Sequence, residues 1–103
     1  METFGEYIRR LREEQKMPLR KLAADLDIDQ STLSKIERNE RTFAKKMIPK
    51  LSKVFNLDCD SLTIRFLSDK VANELKDEDL VIKILRAAER QVEYFQNKRK
   101  VDE

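Results

Sequence analysis

The stretch Leu22-Ala23-Ala24-Asp25-Leu26-Asp27-Ile28-Asp29-Gln30-Ser31-Thr32-Leu33-Ser34-Lys35-Ile36-Glu37-Arg38-Asn39 decides the fold. Leu22, Ala23 and Leu26 lie on one side of a short helix that ends at about Leu26. Asp27 then stands where the chain must turn sharply, a position that favours a left-handed residue and that Asp tolerates. Asp29 is a good N-cap, its carboxylate accepting from the amide of Ser31 or Thr32. Leu33 and Ile36 give a second helix of about eight residues its apolar side, and Asn39, after Arg38, is a left-handed stop. The spacing predicts two short helices separated by residues 27–29.

Working outward, Thr3 followed three residues later by Glu6 reads as a capping box, and Phe4, Tyr7, Ile8 and Leu11 recur at helical spacing. A first helix is expected over residues 4 to 15, and Pro18 suits the start of the next. Beyond a polar loop reaching Thr42, Met47, Ile48, Leu51, Val54 and Phe55 make the stripe of a fourth helix. Pro49 requires that helix to start no earlier than about Lys45. Asn56 closes it, Leu57 packs back, and Asp58 caps a fifth helix carrying Leu62, Phe66, Leu67, Val71 and Leu75. That helix either runs unbroken to about residue 76 or is short with an extension. Asp77, Glu78 and Asp79 suit the start of a last helix and Lys98, Arg99 and Lys100 its end, each favoured by the macrodipole. The expected fold is all-α: a five-helix domain over residues 1–67, then a C-terminal helical extension over 68–103.

Composition agrees with that plan, since 41% of the 103 residues are charged and only one is Gly. The size argues against an enzyme with a deep cleft, and no nucleophile stands at a spacing that would pair it with a base. With Cys59 alone and no His, zinc fingers, disulfides and Cys/His catalysis are excluded, and neither a metal nor a cofactor is expected. No apolar run approaches membrane-spanning length and the N-terminus has no signal-peptide core, so no membrane partner and a cytoplasmic location are expected. The charge is uneven. Residues 1–57 carry 13 Lys/Arg against 9 Asp/Glu, and residues 58–103 carry 9 against 11. Within residues 30–53 seven cations face two acids, a local balance of +5 that suits a polyanion.

Two short helices joined by a tight turn, with an amphipathic helix on either side, are the plan of a helix-turn-helix DNA-binding domain. Residues 22–39 also resemble the Xre, or Cro/CI, family. There a Leu-Ala pair opens the second helix, a Thr-x-Ser-x-x-Glu run forms the third, and a Gly or Asn follows. The resemblance extends from about Phe4 to Leu62, its later part carried by Ile48-Pro49-Lys50-Leu51 and Asn56-Leu57-Asp58. Four positions depart from the pattern. Pro18 and Leu19 stand where the family has a Ser cap and a Gln, so the phosphate contact of that Gln does not carry over, and Arg20 or Lys21 takes its place. Asp27 and Asn39 replace turn glycines at modest conformational cost.

With Leu33 and Ile36 inward, the third helix turns Gln30, Ser31, Ser34, Lys35 and Arg38 outward, with Thr32 between. Gln can bond adenine in a bidentate manner, Lys can donate to guanine, and Ser or Thr serves either. Gln30, Ser31, Thr32, Ser34 and Lys35 are therefore the base-contacting candidates for double-stranded DNA, and the resemblance places Gln30, Ser31 and Lys35 at the family's base-reading positions. Arg20, Lys21, Arg38, Arg41, Lys45 and Lys46 are the phosphate-contacting candidates. Glu37 follows Ile36 inward, where an unpaired carboxylate is costly. The resemblance supplies Arg12 as its structural partner. Phe4, Tyr7, Phe43, Phe55 and Phe66 are expected in the core or anchoring loops, and Cys59 as a small buried hydrophobe.

Val81, Leu85, Ala88, Val92 and Phe95 are spaced 4, 3, 4, 3, the rhythm of a coiled-coil seam, with Leu80, Ile84 and Tyr94 widening it. The expected partner is a second copy, because two recognition helices about one DNA turn apart read a palindrome. The resemblance thus implies a transcriptional regulator binding a palindromic operator as a homodimer, in a compact form that suits restriction-modification controllers, phage repressors and antitoxins; the controller is favoured. The alternative is a protein-binding module, such as an antitoxin, docking a partner through the last helix.

Overall fold

In the computed structural model, which describes residues 1–102, six α-helices follow one another with no strand among the described residues. They are α1 (Phe4–Glu14), α2 (Leu19–Asp25), α3 (Gln30–Glu37), α4 (Ile48–Phe55), α5 (Cys59–Leu75) and α6 (Val81–Asp102), with a 3-10 turn, Lys45–Met47, leading into α4. The chain divides into a first unit, Met1–Val71, and a second that begins at Ala72. The division falls inside α5, which runs unbroken, and so lies past the residue 67 expected from sequence.

The first unit is built on one apolar core. Phe4 and Ile8 of α1, Leu22, Ala23 and Leu26 around α2, Leu33 and Ile36 of α3, Ile48, Leu51 and Phe55 of α4, and Leu62 and Phe66 of α5 are all buried. Phe4 meets Phe43 with ring centroids 5.2 Å apart and Phe66 edge-on at 5.3 Å, so Phe43 anchors the loop after α3 to both ends of the unit. Tyr7 is half-buried instead, with the Arg65 guanidinium 4.0 Å from its ring centre. Glu2 adds a 2.7 Å ion pair to Arg10, which ties the N-terminal residues to α1.

Helix boundaries follow local chemistry, with some corrections to the sequence reading. Asp29 accepts from the Thr32 amide at 2.7 Å and Asp58 from the Ser61 amide at 2.9 Å, each capping its helix. Asp27, Asn39 and Asn56 take φ of 57°, 63° and 53°. Ile28 then donates to the Ala23 carbonyl and Glu40 to that of Lys35, closing α2 and α3 as Schellman turns. Lys16, φ 52°, closes α1 in the same way.

The Thr3 hydroxyl accepts from the Glu6 amide and donates to the Glu6 carboxylate, which leaves only half of a capping box. Pro18 is the extended cap of α2, not its first helical residue, and four residues, Leu26 to Asp29, separate α2 from α3. Cys59 is exposed, not buried: with Asp58 as cap, Cys59 opens α5 on its outer side. Ile64, Leu67 and Val71 are also exposed, so the covered side of α5 is confined to Leu62 and Phe66. In the second unit, Asp77, Glu78 and Asp79 precede α6 and do not form its first turn.

Candidate nucleic-acid interface

The turn from α2 to α3 sets the orientation of the candidate reading helix. Leu26 is 1% exposed and locks the end of α2 into the core, after which the left-handed Asp27 redirects the chain in a single residue. Hydrogen bonding from the Thr32 amide holds the Asp29 carboxyl below the usual carboxylate range, so the cap is a negative charge against the positive end of the helix.

Burial of Leu33, Ile36 and Glu37 fixes the rotation of α3 about its axis. Gln30, Ser31 and Lys35 are then exposed, while Thr32 and Ser34 are half-buried. Gln30 and Lys35 carry long side chains able to reach base edges, and Ser31 a short hydroxyl one residue into the first turn. Thr32 is engaged within the protein, since Arg41 Nη1 lies 3.5 Å from its Oγ1. Arg38 donates from Nε to the Ser34 carbonyl at 3.3 Å and pairs with Glu40 at 3.2 Å, bracing the end of α3.

The candidate phosphate-binding cations fall into two groups. Lys21 pairs with Asp25 at 3.4 Å and Arg38 with Glu40, so both are partly neutralised. Arg20, Arg41, Lys45 and Lys46 are exposed, and among the described residues none of them forms an ion pair. Lys45 and Lys46 sit on the 3-10 turn that leads into α4.

Beneath this surface lies the anchor of α3 on α1. Arg12 donates from Nε and Nη2 to the two oxygens of Glu37 at 2.8 and 2.9 Å, a fork-on-fork pair whose side chains are 15% and 4% exposed. The remaining amino group, Nη1, donates to the Met17 carbonyl at 3.0 Å, so one guanidinium holds α3 and the α1–α2 turn together. Donating to the Glu37 carboxylate raises the basicity of Arg12 further. No buried side-chain N or O atom lacks a partner among the described residues, as a buried charge pair requires.

One feature of this anchor went unread in the sequence. Gly5 faces α3 so closely that an added Cβ would overlap the Ile36 carbonyl oxygen and lie 2.8 Å from Asn39 Oδ1. A lone Gly in a helix is the only available sign of such an approach.

Residues 8–62, more than half of the chain, match the family model described as Helix-turn-helix. The chain belongs to the helix-turn-helix family of the Xre, or Cro/CI, type. The match begins inside α1 and ends in the first turns of α5, so it takes in α2, α3 and the turn between them. Helix-turn-helix proteins of this type form a DNA-binding regulatory family that is not normally enzymatic, and this member is a DNA-binding transcription regulator in that general sense. A search of curated proteins and a search of solved structures each gave no match. Among the described residues no helix is long and apolar enough to cross a membrane, and no group of three or more metal-ligating side chains occurs.

Proposed function

We propose that this helix-turn-helix protein is a sequence-specific regulator that binds a palindromic operator in the cytoplasm as a homodimer, and that it serves as a restriction-modification controller. Gln30, Ser31 and Lys35 read base edges. Ser34 and Thr32 have a lesser part, because both are half-buried and Thr32 already faces Arg41. Arg20, Arg41, Lys45 and Lys46 hold phosphates, with Lys21 and Arg38 exchanging an acid partner for phosphate when DNA arrives. Val81, Leu85, Ala88, Val92 and Phe95 of α6 form the dimer interface, and the chain binds no cofactor. The observation that carries this reading is the exposed polar arc of α3, within a stretch whose balance is +5.

The test is selection of binding sites from random duplexes, followed by titration of two variants on the selected site. Gln30→Ala should lose about 1–3 kcal/mol on that site and relax one base pair, with non-specific affinity nearly unchanged. Lys45→Ala with Lys46→Ala should weaken all sequences alike and lower the log–log salt slope by roughly one per lost phosphate contact. An affinity that does not move with salt, or a Gln30 variant equally weak on every duplex, overturns the assignment.

A further inference from the structure

The last helix carries a pattern that goes beyond the presence of a seam. At 100° per residue, Val81, Leu85, Ala88, Val92 and Phe95 fall in one line along α6, and Arg99 continues that line. Leu85, Val92 and Phe95 are 41%, 50% and 56% exposed and Ala88 is exposed too, while Val81 is half-buried, so the line is an uncovered apolar face from Leu85 onward. Its ends are oppositely charged: Asp77, Glu78 and Asp79 precede the helix, and Lys98, Arg99 and Lys100 close it. Among the described residues none of these six forms an ion pair within the chain.

The positions are also symmetric. The acidic triad and the basic triad stand at equal sequence distances from the centre between Ala88 and Glu89, and so do Leu85 and Val92. Val81 and Phe95 stand equally far from Ala88 itself. We propose that α6 pairs with α6 of a second copy in the antiparallel direction, crossing at Ala88, so that each acidic triad meets the other chain's basic triad. This rests on the homodimer proposed above and gives that dimer its direction.

Charge decides between the two directions. A parallel pair sets Arg99 against its own copy on the seam and stacks like triads at both ends, within a Debye length of about 10 Å, where the repulsion is little screened. An antiparallel pair buries the same apolar residues in different layers. Phe95 faces Val81, Leu85 faces Val92, and the small Ala88 lets the backbones approach at the two-fold axis. Both sets of like charges become opposite charges, because the basic residues near the end of one α6 come to the end of the pair where the other chain's acidic triad leads into its own α6.

The experiment uses the full chain with Cys59→Ser, which removes the exposed native thiol. Val81→Cys and Phe95→Cys are made singly, oxidised alone and as an equal mixture, and run on non-reducing gels beside mass measurement by light scattering. In the antiparallel pair the two copies of residue 81 are roughly 21 Å apart, at 1.5 Å per residue, far beyond the roughly 7 Å reach of a disulfide. Each variant alone should therefore stay uncross-linked, and the mixture should cross-link.

Cross-linking of each variant alone means a parallel pair and overturns the direction while keeping the homodimer. A dimer by mass with no cross-link in any combination places the interface elsewhere and overturns the use of α6. A monomer by mass overturns the homodimer itself. A second measurement is independent of disulfide geometry: reversing Asp77, Glu78 and Asp79 to Lys should weaken dimerisation about tenfold, and reversing Lys98, Arg99 and Lys100 to Glu as well should restore it. In a parallel pair neither change moves the constant in that order.

Discussion

Replacing Gly5 with Ala sets two physical effects against each other. Helix propensity alone favours Ala by up to about 1 kcal/mol, less near a helix start. Packing opposes it, because the added methyl would overlap the Ile36 carbonyl oxygen, which is backbone and cannot swing aside as the Asn39 side chain can. Restoring ordinary contact requires α1 and α3 to part by roughly 1 Å, and overpacking of that kind costs about 1–3 kcal/mol. The separation would open a contact where Phe4, Ile8, Leu33 and Ile36 are at most 4% exposed. It would also lengthen the 2.8 and 2.9 Å bonds between Arg12 and Glu37, which join the same two helices. Packing wins, and Gly5→Ala should lose about 1–2 kcal/mol net, a fall of roughly 4–16 °C in melting temperature for a domain of this size. Thermal and urea denaturation followed by circular dichroism measure it. A variant that melts at or above the parent would show that the α1–α3 contact gives way freely, and the reasoning fails.

Three further outcomes follow from the first unit. Arg12→Ala leaves Glu37 buried without a partner and should destabilise by about 3–5 kcal/mol; parental melting with lost DNA binding would make Arg12 a DNA contact instead. Lys16→Gly should stabilise by roughly 0.5–1 kcal/mol, since φ 52° strains Lys and not Gly, and unchanged or lower urea stability counts against it. The carboxyls of Asp29 and Asp58 are lowered by hydrogen bonds in the folded state, so their stabilising effect is complete above the unfolded value of about 3.9 and is lost as pH falls below it. Melting temperature should hold from pH 7 to about 5 and drop below about 4, and Asp29→Asn, which keeps a cap but does not titrate, should flatten part of that drop.

Much of this architecture is legible in the residues because its determinants are local. Asp29 and Asp58 announce caps through their own carboxylates, and Asp27, Asn39 and Asn56 announce left-handed stops through side chains that tolerate positive φ. The outward arc of α3 follows from the phase of Leu33 and Ile36 alone. Features that depend on what lies across the core are not legible. Gly5 marks an approach of α1 to α3 that no periodicity encodes, and Lys16 ends α1 with a residue that has no special liking for its conformation. Cys59 reads as a small buried hydrophobe on the inner side of the α5 start, yet a first-turn position beside the Asp58 cap points outward. At the interface, exposure of Gln30 and Lys35 could be read from spacing, whereas the pairing of Lys21 with Asp25 and of Arg38 with Glu40 depends on side-chain rotamers.

Four helices of this chain end on a left-handed residue, and none of those residues is Gly. Lys16, Asp27, Asn39 and Asn56 adopt that conformation at some expense, which a free peptide has no reason to meet. In an excised segment covering residues 18–39, nothing would hold Asp27 at positive φ once Leu22, Leu26, Leu33 and Ile36 had lost the core they fill. The bend between α2 and α3 is therefore permitted by its own residues but held only by the assembled unit. Any DNA-reading ability should appear or vanish with the global unfolding transition, and short fragments carrying the whole of α3 should be inert.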